Sequence, residues 1–308
     1  MSSRFSCIAD QISFQNAALL LSGGVDSTLL ACFLSKSNIH LYTTKFDNDK
    51  NDESKLACLT AKHLELPITV IELLHNIDEK QFSNLINSLN EPVGDPGIIN
   101  QFHSLNKIRE DGRKVVFVGT GGDEVFFGYP RYRFLPLKML LDLLPSILLN
   151  IIRRFLSAVR MNDLSKNRIN KFFSENSAIF TPEFDLKNYL PNQLFSAFDS
   201  LSFNNGIEAR TPFTSILLLD HAVTSNNVRW FDFLILKLKL KILLYKKFGI
   251  NKFFNQKKGF TNEYTKLGID EKQINFNLFA NYDQVQVAAK KSNLHLFRVF
   301  VLSRWLEC

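Results

Sequence analysis

The sequence predicts an α/β fold in which a doubly wound, mainly parallel sheet is continued by an all-helical C-terminal portion. Three observations carry this expectation. From Ala17 to Tyr129, short strand-like apolar runs alternate with helix-period segments, the pattern of strand–helix–strand crossovers. Two of the runs end in glycine-rich turns, Ser22-Gly23-Gly24 and Gly119-Thr120-Gly121-Gly122. Beyond about Pro130 the strand signal stops and amphipathic helical segments take over. Residues 1–16 form a short lead, 17–130 the α/β part and 131–308 the helical part, which together make one packed unit.

The elements follow in order. Residues 17–21, Ala-Ala-Leu-Leu-Leu, are a continuous apolar run, as expected of a strand covered on both faces. After the first glycine turn, Val25, Leu29, Cys32 and Phe33 share one helical face. A strand over 40–46, a helix over 52–64, a strand at Ile68–Leu73, a helix over 98–110 and a strand over 114–119 complete the alternation. Helices are then expected over 135–159, 164–174, 189–200, 215–224 and 231–248. In doubly wound sheets ligands bind at the carboxyl ends of the strands, where both glycine turns fall.

Composition narrows the function classes. Over 308 residues, 45% apolar and 22% charged composition excludes wholesale disorder and leaves room for a large core. The four cysteines, Cys7, Cys32, Cys58 and Cys308, form no CxxC pair, which excludes the usual zinc, iron–sulfur and disulfide frameworks. No apolar stretch resembles a secretory leader, and 135–159 is broken by Lys138, Asp142, Pro145, Arg153 and Arg154, so no membrane span is expected. The expected compartment is the cytoplasm. The net charge of +7 suits an anionic partner, and a nucleotide fits it more simply than nucleic acid.

The turn Ser22-Gly23-Gly24-Val25-Asp26-Ser27 carries the first chemical signal. Glycines let backbone N–H groups approach a phosphate, and the following helix N-terminus favours negative charge. Ser22 and Ser27 add hydroxyl donors, and Asp26 is a carboxylate suited to phosphate-bound magnesium. The Gly-Lys-Ser/Thr triplet of a Walker loop is absent, which fits a loop that grips pyrophosphate as a leaving group.

This turn resembles the pyrophosphate loop of the N-type ATP pyrophosphatases. The second turn, Gly119-Thr120-Gly121-Gly122-Asp123-Glu124-Val125-Phe126-Phe127-Gly128-Tyr129, resembles the signature of the asparagine synthetase family within that superfamily. Three more stretches resemble the family in the right order. They are Glu91-Pro92-Val93-Gly94-Asp95-Pro96, then Gly206-Ile207-Glu208-Ala209-Arg210-Thr211-Pro212-Phe213, then Lys257-Lys258-Gly259-Phe260. The resemblance spans about residues 17–265. It implies a sheet of the five-stranded, adenine-nucleotide α-hydrolase-like type, with ATP and Mg2+ as cofactors.

The resemblance also implies an activity. A carboxylate attacks the ATP α-phosphate, pyrophosphate leaves, and a nitrogen nucleophile then displaces AMP to form an amide. Ser22, Gly23, Gly24, Asp26 and Ser27 would hold pyrophosphate and metal, with Asp123 the second metal ligand facing Asp26. Leu21, Thr44 and Gly119 would touch the nucleoside, and Gly121 and Gly122 would shape the second turn. Lys257 would stabilise developing charge. Glu208 is a further candidate, and with Arg210 it reads more simply as an ion pair. Glu124 is expected behind the site, and His63 and His103 are expected to be ordinary polar or core-edge residues.

Departures from the family pattern shape the rest. Asparagine synthetases usually carry an acid where this chain has Thr120, a candidate acceptor-site or base position, and often a lysine where it has Ala197, although Asp199 remains. Full-length relatives begin with a glutaminase domain whose nucleophile is an N-terminal cysteine, whereas here Ser2 follows Met1. The expected partners are therefore a small-molecule or peptide carboxylate acceptor, with nitrogen from ammonia, an amine or a separate glutaminase subunit. Two alternatives stay open: a tRNA-modifying enzyme sharing the first loop, and a non-catalytic nucleotide-binding subunit.

Overall fold

The computed structural model describes residues 3, 5–6, 16–46, 54–73, 78–136, 182–219, 235–250 and 269–307. The expected helices over 164–174 and over 135–159 beyond residue 136 lie outside these, as does the Lys257-Lys258-Gly259-Phe260 block. The first half alternates as the sequence predicts: β1 (Ala17–Leu20), α1 (Val25–Leu34), β2 (Ile39–Phe46), α2 (Ser54–His63) and β3 (Ile68–Leu73). Next come α3 (Glu79–Asn87), α4 (Gly97–Glu110), β4 (Val115–Phe117) and the single turn α5 (Gly122–Val125). The sequence pattern does not predict α3. It follows Asp78 as N-cap and earns its place by burying Phe82, Leu85 and Ile86.

Five strands form one sheet in the order β3-β2-β1-β4-β5, every neighbouring pair parallel. The fifth, β5 (Glu208–Arg210), comes from the half in which no strand was expected. Three residues, Glu-Ala-Arg, carry no apolar run and too little alternation to register as a strand. Pairing with β4 makes it one: Glu208 N–H donates to Lys114 O at 2.7 Å, and Val118 N–H donates to Arg210 O at 3.0 Å. Before it, α6 (Pro182–Phe184) runs through a π-helical stretch, Asp185–Phe195, into α7 (Ser196–Asn204). After it come α8 (Leu238–Phe248), α9 (Tyr282–Ala289) and α10 (Asn293–Glu307).

The period-2 alternation of strand side chains divides the core into two layers. Ala17, Leu19 and Leu21 of the first strand segment pack with Leu29 of α1 and with Leu240 and Leu244 of α8. Ala18 turns to the opposite layer, among Ile98 and Leu105 of α4, Leu201 of α7 and Phe297 of α10. β4 splits the same way, Val115 and Phe117 to the first layer and Val116 to the second. Helices on both faces explain why β1 and β4 are apolar throughout. At the amino end of the sheet, Arg113 donates to Ala17 O at 3.0 Å and to the Tyr42 hydroxyl at 3.0 Å, and that hydroxyl donates to Asp111 at 2.8 Å.

The Glu-Ala-Arg-Thr-Pro-Phe segment is locked by Phe213, which is fully buried with its ring 5.4 Å from Phe5 and 6.0 Å from Phe126. Phe213→Ala should lower stability by about 3–5 kcal/mol, as a cavity replaces a packed aromatic. Urea unfolding of the two proteins measures this, and a loss under about 1 kcal/mol would contradict the packing described.

Candidate functional site

The strand order reverses beside β1: β2 and β3 lie to one side, β4 and β5 to the other. This switch point lies at the carboxyl ends of β1 and β4, which lead into the two glycine-rich turns. In the first turn, Ser22 and Ser27 close a small hydrogen-bonded cup. Ser22 N–H donates to Ser27 Oγ at 3.2 Å, the two hydroxyl oxygens are 3.1 Å apart, and Gly24 N–H donates to Ser22 Oγ at 3.3 Å. The Ser27 hydroxyl also reaches Gly24 O at 3.3 Å. Asp26 follows in the first turn of α1, where the helix dipole favours a carboxylate.

The second turn packs directly on the first. A side chain at Gly122 would place Cβ 2.6 Å from Asp26 Cγ, so only glycine lets the two turns approach this closely. A side chain at Gly119 would lie 3.1 Å from Ser27 N. Gly121 adopts a left-handed conformation against Thr214, which brings the predicted 206–213 block beside this turn. Asp123 then follows in the first turn of α5.

Between the two carboxylates stands Lys237. Its ammonium donates to Asp26 Oδ2 and lies 2.7 Å from Asp123 Oδ1, with only 5% of the side chain exposed. Burial alone would depress this ammonium. The charges of Asp26 and then Asp123 outweigh burial and hold its pKa well above the ordinary lysine value. Lys237 caps the start of α8 in a left-handed backbone conformation, φ 57°, uncommon for a residue with a long side chain. Gly128 makes room for it, since a Cβ there would collide with both the Asp123 carboxylate and Lys237 Cε. Two carboxylates that share one cation are a hard-oxygen pair of the kind magnesium takes beside phosphates. Among the described residues no cluster of three or more His, Cys, Asp or Glu side chains forms a metal site.

Behind the second turn lies a buried polar network. Glu124 is 1% exposed and accepts a 2.6 Å hydrogen bond from the Tyr129 hydroxyl. Arg131 lies 4.2 Å over the Tyr129 ring and 2.6 Å from Asp185, which also accepts from the Tyr132 hydroxyl. These contacts tie the turn to the π-helical stretch. The 91–96 loop is held by Glu91, which accepts from the Ser196 hydroxyl, and by Gly94 O, which accepts from Arg298 at 3.1 Å.

The remaining expected positions fall as follows. Leu21 is buried and its N–H donates to Tyr42 O at 2.7 Å; Thr44 lies on β2 and Thr120 follows β4, both half-buried. Glu208 opens β5 opposite Val115, at the amino end of β4, and forms a 2.7 Å ion pair with a half-exposed Arg210. Ala197 packs in the second core layer, while Asp199 is exposed. His63 contacts Phe248 O at 3.2 Å, and His103 sits at the core edge against Phe102. Lys257 lies outside the described residues. Sequence reasoning missed Lys237, Asp185 and Thr214. Lys237 sits in Leu-Lys-Leu-Lys-Leu-Lys, where nothing sets it apart from Lys239 or Lys241.

Two outcomes test this geometry. Gly128→Ala should destabilise the protein by about 1–3 kcal/mol in urea unfolding, because the methyl group overpacks a site with no slack. Burial raises the Glu124 carboxyl above its ordinary 4.5, with the Tyr129 hydroxyl opposing the shift. The stability linked to Glu124 is thus present below pH 4.5 and lost as pH rises through the raised value. Tyr129→Phe, which removes the opposing donor, should enlarge that loss, and Glu124→Gln should abolish it, both measured by unfolding from pH 4 to 8.

The family model described as asparagine synthase matches residues 7–227. A protein named "Putative asparagine synthetase (glutamine-hydrolyzing)" from Mycobacterium bovis is 33% identical over 120 residues, 37% of this chain and 18% of that protein. "Amidase chyE" from Penicillium rubens is 28% identical over 133 residues, 38% of this chain and 20% of that protein. The matched stretches thus span about a fifth of the length of these relatives. With well over half of its residues matched by the family model and both glycine turns joined at the switch point of a five-stranded parallel sheet, the chain belongs to the asparagine synthase family.

Proposed function

We propose that the protein is an ATP- and magnesium-dependent ligase that forms an amide by way of an acyl-adenylate. The observation that carries this reading is the convergence of Asp26 and Asp123 on one cation at the switch point, beside the Ser22–Ser27 cup. Membership in the asparagine synthase family supports it. An acceptor carboxylate oxygen attacks the α-phosphorus of ATP, the bond to the β-phosphate oxygen breaks, and pyrophosphate leaves. A nitrogen nucleophile then adds to the acyl carbon, loses its proton, and expels AMP. Magnesium, when bound, offsets the charge of the phosphates.

The residues divide the work. Ser22, Gly23, Gly24 and Ser27 present hydroxyl and backbone donors to pyrophosphate. Asp26 and Asp123 hold the metal, and Gly119, Gly121 and Gly122 keep the two turns close enough for them to share it. Leu21 and Thr44 flank the nucleoside. Lys257 stabilises charge at the reacting centre. Thr120, half-buried after β4, is the candidate acceptor-site position, and its neutrality leaves a sugar acid, a peptide carboxylate or aspartate as candidate acceptors. Glu208 serves Arg210 as a charge partner rather than the chemistry, given its place at the amino end of its strand. No helix among the described residues is long and apolar enough to cross a membrane.

The decisive experiment follows AMP and pyrophosphate release from ATP across a panel of carboxylates with ammonia or amines. Release of both products is expected, and Asp26→Asn or Asp123→Asn should each reduce it by about a hundredfold or more. Release of ADP and phosphate would overturn the adenylation reading. Tight ATP binding without turnover on any acceptor would favour the non-catalytic subunit.

A further inference from the structure

Lys237 occupies the position that the proposed function gives to the metal. Its ammonium contacts both expected ligands, Asp26 and Asp123, and is almost fully shielded from water. The geometry points to Lys237 as a resident counter-ion that keeps the divalent-cation site closed until nucleotide arrives, so that metal and polyphosphate enter together. This inference rests on the proposed reading of Asp26 and Asp123 as metal ligands.

Charge supports coupled entry. With Lys237 in place, its ammonium already holds an oxygen of each carboxylate. A bare divalent cation would have to enter beside that ammonium in a low dielectric, after losing part of a tightly held hydration shell. A polyphosphate reverses the balance. It supplies oxygens to the metal and a new anionic partner for the displaced ammonium. The backbone also suits an exchange made by one side chain. Leu240 and Leu244, one and two turns further along α8, are fully buried against the first core layer with Leu29, so α8 stays docked. The missing side chain at Gly128 lets the lysine stem pass against the second turn, where a Cβ would collide with Lys237 Cε. Removing the ammonium of Lys237 takes one positive charge from both carboxylates, which favours a metal in its place.

The test uses Mn2+ as the probe, its binding read from loss of the free-ion electron paramagnetic resonance signal, on the full chain without acceptor. Wild type should take up Mn2+ weakly alone and about tenfold or more tightly with pyrophosphate or ATP present. Lys237→Met should bind Mn2+ alone at least about tenfold more tightly than wild type, and its melting temperature should rise with Mn2+ where that of wild type does not. Equal Mn2+ affinity of wild type with and without pyrophosphate would overturn the inference and needs no variant to fold. Equal affinity of wild type and Lys237→Met for Mn2+ alone would do the same. Either result would leave the ligase reading standing. Tight Mn2+ binding by Lys237→Met, alongside no AMP release by wild type on any acceptor of the panel, would instead sink the ligase reading and keep the counter-ion.

Discussion

Two carboxylates, Asp26 and Asp123, carried just after β1 and β4, both meet the ammonium of Lys237. Buried charge of one sign is costly unless it is paired, so the pairing dictates much around it. The two turns must touch, which requires glycine at 122. The lysine stem must pass along the second turn, which requires glycine at 128. Residue 237 must take a left-handed conformation for α8 to begin there and still aim its side chain at the acids. Three elements far apart in sequence thus meet through one small cluster of charge.

Around that cluster the structure separates rigidity from chemistry. The strands that carry the turns are packed on both faces and pinned at their amino ends by Arg113, Tyr42 and Asp111. The segment after the second turn is held by Arg131, Asp185, Tyr129 and Tyr132, with Glu124 sealed beneath. In the proposed reaction such a frame would keep the groups in place when charge develops, which is how preorganised sites lower barriers. The Ser22–Ser27 cup is satisfied by its own hydrogen bonds, and these donors are the ones an incoming phosphate would recruit.

Much of this was legible in the sequence because it rests on local rules. The continuous apolar run at Ala17–Leu20 announced a strand covered on both faces, and the glycine turns announced the two places where backbone must approach closely. The family resemblance built on those turns agrees with the family model over residues 7–227. Ala197, a departure from the family pattern, proved to be a core position where an alanine packs well. The reading failed where no local rule applies. β5 is three residues with no apolar periodicity, a strand only because β4 offers it an edge.

What the sequence determined by itself was therefore the alternation of strands and helices, the positions of the turns and the pair of acids carried on them. Each follows from side-chain period, glycine geometry or helix-end electrostatics within a dozen residues. Only the tertiary structure decided which cation meets those acids. Lys237 lies in a run of alternating leucines and lysines whose members look alike in one dimension. It is singled out by the docking of Leu240 and Leu244 under the sheet, which fixes where α8 begins and leaves one lysine, and no other in that run, facing Asp26 and Asp123.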